Sequence, residues 1–334
     1  MPIISVVMGV YNGSEHLEET IESVLCQTDA VFEFIVVNDG SKEAAAGEVL
    51  SDYARRDGRI RVITKSNEGL TKALIYGCAA AKGKYIARID NGDVMLPERL
   101  AKQMALLDEH PESVLATCWT EFCGPEWESL FKVRNTVPGN ADNNDWVSPF
   151  PDDGDDRDKL LGPTHHGSVM FRRDAYMLAG GYRAAFYYGQ DWDLWYRLAD
   201  TGKFAGIQEV LYRCRISPDG ISMRNAERQR QIHACSRGAF LARRRDDDET
   251  PFLERAASIR PGMDNDDHGH KSLPAQHAAE GYYFIGEALR QNCDQRCRKY
   301  YTKAFCITPW RLKICFRWFQ SYCREASGKR DAHE

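Results

Sequence analysis

The sequence has no apolar run long enough to cross a membrane. Its longest apolar stretches, such as 3–10 and 34–37, fall far short of the ~20 residues that a spanning helix needs, and its mean hydropathy is −0.52. The first residues also lack the basic region and the small-residue cleavage site of a secretory signal. From these absences we expect a cytoplasmic protein without a membrane-spanning segment.

The cysteine pattern lacks the close pairs that hold structural zinc or carry out redox chemistry. The 11 cysteines are odd in number, scatter from Cys26 to Cys323 and include no C-x-x-C pair. We therefore expect reduced, mostly buried thiols. A hydrophobic fraction of 43% and a charged fraction of 28% exclude a collagenous, disordered or small disulfide-stapled chain and indicate a sizeable core.

Apolar runs of strand length alternate with amphipathic stretches in the N-terminal third of the chain. Strands are predicted at 4–9, 32–37, 60–64 and 85–89, and helices at 14–27, 43–55, 70–81 and 97–109. This alternation predicts an α/β fold with a Rossmann-like, mainly parallel sheet flanked by helices.

The rhythm of strands and helices changes twice further along the chain. Residues 135–163 are polar, turn-rich and poor in apolar side chains, which predicts a long loop or lid. From residue 226 the pattern is helical. We therefore predict a catalytic domain over 1–225 and an α-helical C-terminal region over 226–334.

Carboxylates follow two of the predicted parallel strands. Asp39 comes after the second strand, and Asp90 and Asp93 come after the fourth. Open α/β sheets bind ligands outside the carboxyl ends of their strands, and crowded carboxylates favour a nearby cation or hydrogen-bond donor. Asp-Gly is also a common turn pair, but two clusters at equivalent strand ends, with 67–69 at a third, favour a binding site.

Short blocks of the sequence resemble family 2 glycosyltransferases in order and spacing. The resemblance covers about residues 2–222. The blocks are VMGVYNG at 7–13, SVLCQT at 23–28, VVNDGS at 36–41, NEGLTKAL at 67–74, AAKGKYIARID at 80–90, LPERL at 96–100, HGSVMFR at 166–172, GGYR at 180–183 and QDWDLWYRL at 190–198.

This resemblance implies the nucleotide-sugar-binding glycosyltransferase A fold and an inverting transfer. The donor would be a nucleotide-activated hexose, with UDP expected. The acceptor would be a hydroxyl of a glycan or lipid-linked glycan in cell-surface polysaccharide or lipopolysaccharide synthesis.

The resemblance also assigns roles to individual residues. Asp191 matches the catalytic base, although its place before an apolar helix would also suit an N-cap. The matching donor-binding residues are Val10, Tyr11, Asn12, Asp39, Asn67, Lys72, Arg88, Asp90 and Asn91. The acceptor pocket would be lined by His165, His166, Gln190 and Trp192, and a metal reading of the two histidines is less favoured.

Two departures from the family pattern concern a metal ion. The resemblance implies a divalent cation, Mn²⁺ or Mg²⁺, on the donor diphosphate. Gly92 stands where the second aspartate of the family's Asp-x-Asp is expected, so that coordination would fall to Asp93 and Asp90. Ser217 stands where many relatives carry a histidine. The alternative hypothesis is therefore a catalytically weak or inactive nucleotide-sugar-binding or scaffold protein.

The C-terminal region carries a basic and aromatic segment. Between Arg296 and Arg324 there are eight Lys or Arg residues and no acid, interleaved with aromatic side chains. Such a segment, 294–324, suits either peripheral contact with an anionic membrane, here the inner face of the cytoplasmic membrane, or packing of its aromatics on the catalytic domain. Nucleic acid is disfavoured because the net charge is −5 and no binding motif is present.

Overall fold

The computed structural model describes residues 2–134, 162–163, 165–218, 226–261 and 274–328, without the side chains of 226, 274 and 322–328. The lid predicted at 135–163 lies outside these described residues, apart from 162 and 163.

The described residues form a nine-stranded sheet in the order β3-β2-β1-β4-β8-β6-β9-β5, with β7 paired to β6. β1, β2, β3 and β4 pair in parallel, whereas the β4–β8, β6–β8 and β5–β9 pairs are antiparallel. The strands are β1 (Ile4–Val10), β2 (Phe32–Asn38), β3 (Ile60–Thr64), β4 (Tyr85–Arg88), β5 (Val94–Met95), β6 (Ser113–Cys123), β7 (Ser129–Val133), β8 (Met170–Arg172) and β9 (Lys203–Arg215).

Helices connect the parallel strands and then make up the C-terminal part of the chain. The predicted α/β class with C-terminal helices is confirmed; the antiparallel strands all follow the fourth strand along the chain. The helices are α1 (Leu17–Leu25), α2 (Ala44–Arg56), α3 (Leu70–Ala80), α4 (Arg99–Glu109), α5 (Arg173–Leu178), α6 (Gln190–Ala199), α7 (Ala226–Arg244), α8 (Thr250–Ser258), α9 (Pro274–Gln291), α10 (Cys297–Ile307) and α11 (Leu312–Gly328).

The parallel part of the sheet is buried on both faces. Along β1, Val6 and Met8 belong to one apolar cluster and Val7 belongs to the other, and all three are fully buried. Because successive side chains of a strand point to opposite faces, a continuous apolar run is needed when helices cover both sides. This arrangement leaves the ends of the strands as the places where polar residues gather.

The chain divides into two compact units. The first contains residues 1–121, 132–214 and 228–263, and the second contains 122–131, 215–227 and 264–334. The boundary drawn from the sequence at 225 differs from this division, because α7 and α8 pack within the first unit: Ile232 and Cys235 are buried with Phe186 and Ala256. A helical pattern alone does not show which core a helix joins.

The second unit has a small core of its own. Tyr300 and Tyr301 of α10 are fully buried with Ile285 and Leu289 of α9, and their hydroxyl groups contact Glu128 and Glu287, respectively. Among the described residues, no helix combines the length and the apolar character that crossing a membrane requires.

Candidate functional site

The loop after β1 is tied to the loop after β2. Asn12 adopts a positive φ of 55°, a conformation that asparagine tolerates better than most residues. Its side-chain Oδ1 accepts a hydrogen bond of 2.8 Å from the Lys42 amide, and its own amide donates to Ser41 Oγ at 2.9 Å. Val10 is buried, whereas Tyr11, which lies between Val10 and Asn12, is 46% exposed. The Tyr11 ring is therefore accessible to a ligand at this strand end.

Asp39 lies directly after β2 and is only 2% exposed. Lys65 Nζ lies 2.6 Å from its Oδ1, and the amides of Gly69 and Glu68 donate to the carboxylate at 2.7 and 3.1 Å. Burial lowers the pKa of Lys65, but hydrogen bonds to Asp39 and Glu68 outweigh that effect and the net shift is upward. The Asp39 carboxylate thus holds the segment 65–69 against the end of β2.

Two predicted donor-binding side chains lie on or next to this segment. Asn67 is exposed. Lys72, in the first turn of α3, forms an ion pair with Glu68 and is 43% exposed. Both polar groups therefore stand at the solvent-facing side of the site.

Arg88 and Asp90 form a partly buried ion pair at the end of β4. The Arg88 side chain is fully buried, and its guanidinium contacts Asp90 Oδ1 at 2.5 Å and donates to the Ile89 carbonyl at 2.9 Å. Burial raises the pKa of the Asp90 carboxyl, but the Arg88 charge more than offsets this, so that its pKa is lowered overall. Asp90 is therefore held ionised at the strand end, with 30% of its side chain exposed.

Asn91 connects this strand end to the first one. Its side-chain Nδ2 donates to the Gly13 carbonyl at 2.9 Å. With the Asn12 contacts above, the ends of β1, β2 and β4 are joined by hydrogen bonds. The structure thus brings Asn12, Asp39, Asp90 and Asn91 to one edge of the parallel sheet.

The backbone conformation at position 92, and not a lack of space for a side chain, favours glycine there. The φ of Gly92 is 96°, and a Cβ built on it would meet no atom within 4 Å. Positive φ in this range is strained for residues with a side chain. The turn after β4 therefore favours glycine at the position where the family pattern places an aspartate.

Asp93 points into the protein. It is 5% exposed, and its Oδ2 accepts a hydrogen bond of 2.7 Å from the buried Tyr212 hydroxyl. His165 Nε2 lies 3.8 Å from the same oxygen. Among the described residues, Asp93, His165 and Cys214 form a group whose potential ligand atoms lie within 4.8 Å of one another.

This trio does not suit Mn²⁺ or Mg²⁺ in the arrangement that the structure shows. Hard cations prefer oxygen ligands, and the trio offers one oxygen, one nitrogen and one sulfur. His165 Nδ1 accepts a hydrogen bond of 3.0 Å from the Gly167 amide, so a neutral ring carries its proton on Nε2, the nitrogen that faces Asp93. A protonated nitrogen cannot bind a metal, and Asp90 is engaged by Arg88.

Asp191 lies in the first turn of α6. Gly189 occupies the N-cap position, so Asp191 is not the N-cap. Burial raises the pKa of the Asp191 carboxyl to about 6, and the Asp90 charge adds to the rise. Asp193 in the same turn is paired with Arg197, whereas Asp191 forms no ion pair with any residue that the structure describes. Asp191 is therefore a carboxylate able to exchange a proton near neutral pH.

The four residues predicted to line the acceptor pocket fall into two pairs. His166 Nε2 lies 2.6 Å from the Tyr182 hydroxyl, and burial lowers the pKa of His166 to about 3 and that of His165 to about 4. Both imidazole rings are therefore neutral at neutral pH. Gln190 is 6% exposed, and the Trp192 ring packs at 4.8 Å from His233 of α7.

Several residues of this region carry no signal in the sequence motifs. Lys65, Tyr212 and Cys214 belong to ordinary strand or loop patterns. The contacts of Lys65 with Asp39 and of Tyr212 with Asp93, and the nearness of Cys214 to Asp93, join elements far apart in the chain. The charge of Asp90 acts on the pKa values of His165, His166 and Asp191, which indicates that the four groups lie near one another at the candidate site. That site lies entirely within the first unit.

Known sequences match about two thirds of this chain. Residues 5–177 match the model of glycosyl transferase family 2. EpsE of Bacillus subtilis is 33% identical over 233 residues, which cover 67% of this chain and 77% of EpsE. The amylovoran biosynthesis glycosyltransferase AmsE of Erwinia amylovora is 30% identical over 226 residues, which cover 66% of this chain and 79% of AmsE.

Solved structures match the fold over almost the whole chain. TarS of S. aureus, in complex with UDP, gives a TM-score of 0.56 at 15% identity and covers 97% of this chain and 91% of its own. The mannosyltransferase PcManGT of Pyrobaculum calidifontis, in complex with GDP-Man and Mn²⁺, gives 0.54 at 14% identity and covers 98% of this chain and 86% of its own. These similarities confirm the glycosyltransferase A fold.

The family match and the sequence relatives, together with the fold, indicate a glycosyltransferase that uses a nucleotide-sugar donor. The match over 5–177 and the identity with EpsE place it more closely: the chain belongs to glycosyltransferase family 2.

Proposed function

We propose that this protein transfers a hexose from a UDP-sugar to a hydroxyl of a glycan or lipid-linked glycan, with inversion at the anomeric carbon, in the synthesis of a cell-surface polysaccharide. The observation that carries the proposal is Asp191, whose pKa is raised to about 6 by burial beside the ionised Asp90. The UDP bound in the similar TarS structure supports a UDP-sugar as the donor. The name of AmsE, an amylovoran biosynthesis glycosyltransferase, supports a role in polysaccharide synthesis.

The proposed reaction is a direct displacement. Asp191 removes the proton of the acceptor hydroxyl while its oxygen attacks the anomeric carbon from the face opposite the nucleotide. The acceptor oxygen–carbon bond forms as the bond to the diphosphate breaks, and the nucleoside diphosphate leaves. The ends of β1 and β2 would hold the nucleoside, with Tyr11 and Asp39 there. Neutral His165 and His166 would shape the acceptor side without competing for the proton.

No step of this proposal passes through a metal ion. The expected ligands Asp90 and Asp93 are engaged by Arg88 and by Tyr212, and Gly92 has no side-chain ligand atom. We infer that donor binding does not depend on Mn²⁺ or Mg²⁺.

The experiment that tests the proposed function is donor turnover by the purified chain. UDP release from a panel of UDP-hexoses, with and without oligosaccharide acceptors, should single out one donor, and NMR of the product should show the opposite anomeric configuration. Retention of configuration would contradict the proposed single displacement.

The second candidate is a nucleotide-sugar-binding or scaffold protein with little or no activity. Gly92 and Ser217, which replace residues that carry side-chain ligands in the family pattern, favour it. The two functions separate in the same assay, because a binding protein would retain UDP-sugars without releasing UDP.

We also propose that 294–324 lies peripherally on the cytoplasmic face of the membrane. In the second unit, α11 leaves a row of apolar side chains in water: Leu312, Phe316 and Phe319 are 86%, 62% and 64% exposed. Their spacing of four and three residues puts them on one face of the helix. An exposed apolar row of this kind suits insertion at a lipid surface.

A further inference from the structure

Tyr187 packs against the segment that Asp39 holds. A Cβ built on Gly69 would lie 2.5 Å from the Tyr187 ring, so only glycine lets the ring approach this closely. Gly69 also has a φ of 93° and donates its amide to Asp39. The ring of Tyr187 therefore lies against the residue whose amide contacts the proposed nucleoside-binding carboxylate.

The backbone around Tyr187 is fixed from the opposite side. The buried Thr71 hydroxyl donates to the Phe186 carbonyl at 2.6 Å and lies 3.3 Å from the carbonyl of Tyr187. The guanidinium of Arg260 lies 5.5 Å from the centre of the Tyr187 ring, and the Tyr188 ring meets it edge-on at 4.9 Å. The ring is thus held in place before any ligand arrives.

The hydroxyl end of Tyr187 lies against Gly69, next to Asp39: a Cβ built on Gly69 would meet its Cζ at 2.8 Å and its hydroxyl oxygen at 3.0 Å. Burial raises the pKa of Tyr187, and the groups close enough to raise it further include Tyr188, Asp39 and Tyr11. Tyr187 remains partly exposed, as does Tyr11. Two accessible aromatic rings therefore border one buried carboxylate, the combination that a planar base with N–H donors fits.

We propose that Tyr187 forms, together with Tyr11, the aromatic wall of the nucleoside pocket and stacks on the base of the donor. This inference rests on the proposed donor site and adds to it a residue from the turn before α6. Tyr187 precedes Asp191 by four residues, so the segment that contacts the nucleoside would lead directly into the helix that carries the catalytic base.

The test measures the binding of UDP, uridine and inorganic pyrophosphate to the full chain and to two variants. Tyr187→Ala should weaken UDP and uridine by about ten- to a hundredfold, in line with the loss of one base-stacking contact, and should leave pyrophosphate unchanged. Tyr187→Phe should bind all three like the wild type, because it keeps the ring. Thermal unfolding of both variants shows whether the fold is intact.

Two outcomes would overturn the inference: unchanged UDP affinity in Tyr187→Ala, or equal weakening of uridine and pyrophosphate, which would indicate general damage to the site. Should Tyr187→Ala fail to fold, Tyr187→Leu replaces it, with the same expected loss. A failure of the proposed function gives a different result, in which UDP binding depends on Tyr187 but no UDP-sugar is turned over.

Discussion

Charged side chains are used differently in the two units of the chain. In the first unit, Arg88, Asp90 and Asp39 are drawn inward at the strand ends, and Asp191 is left without a cation partner among the described residues. In the second unit, basic residues of the segment 294–324 pair at the surface with acids of the same unit; these pairs are Arg296–Asp294, Lys299–Glu126, Arg311–Glu280 and Arg317–Glu287.

This difference changes the meaning of the basic segment. Four of its eight basic residues pair with acids of the second unit, and one of these acids, Asp294, lies in the segment itself. What the segment offers to a partner is mainly the apolar row of α11, with Lys313 beside it. In the first unit, by contrast, the few buried charges interact strongly with one another, because water no longer screens them.

The largest effect is expected from removing the unpaired acid of the first unit. Asp191→Asn should lower the turnover number by about 10²–10⁴, the usual contribution of a general base, and leave UDP affinity near the wild-type value. Asp200→Asn, at the other end of α6 and paired with Arg243 and Arg244, is the matched control and should keep full activity. Equal activity of the two variants would remove Asp191 from the mechanism.

Buried and exposed ion pairs should differ in their contribution to stability. Arg88→Met leaves Asp90 without its partner and should lower the free energy of unfolding by about 3–5 kcal/mol. Arg311→Met breaks an exposed pair of the second unit and should cost about 0–1 kcal/mol. Urea unfolding of the full chain measures both, and similar losses would mean that the contrast between the units is not one of burial.

The apolar row of the second unit should matter only at a lipid surface. The double variant Phe316→Ser, Phe319→Ser should lower co-sedimentation with anionic vesicles about tenfold or more. Burial of each aromatic side chain in the lipid stabilises binding by on the order of 1.5–3 kcal/mol. Leu178→Ser, which changes a 78% exposed residue of the first unit, is the control. If the double variant and the control sediment alike, 294–324 does not anchor the protein.

The smallest effect is expected from metal ions. The affinity for UDP should be the same in Mn²⁺, in Mg²⁺ and in a chelator, because the Asp93, His165 and Cys214 group does not offer the oxygen ligands that these ions prefer. Isothermal titration of the wild type measures it. A marked gain of UDP affinity with Mn²⁺ would contradict the inference that donor binding does not depend on a metal ion.

The sequence alone predicted the four parallel strands, the helices between them and the acids at their ends, because apolar periodicity and turn residues are local signals; it did not indicate the short strands β5 and β7. It did not indicate that Lys65 lies against Asp39 or that Tyr212 lies against Asp93, since both contacts join elements far apart in the chain. Nor could composition show that α7 and α8 pack within the first unit. The roles of the individual site residues stay predictions.

The dependence of turnover on pH tests the central claim most directly. A base works only when it is deprotonated, so a pKa raised to about 6 at Asp191 means full activity above that pH and a fall towards lower pH, approaching tenfold per pH unit. We predict that kcat/KM of the wild type follows this curve, because kcat/KM reports the pKa of the free enzyme. A kcat/KM that stays constant from well above to well below pH 6 would contradict the assignment of Asp191 as the catalytic base.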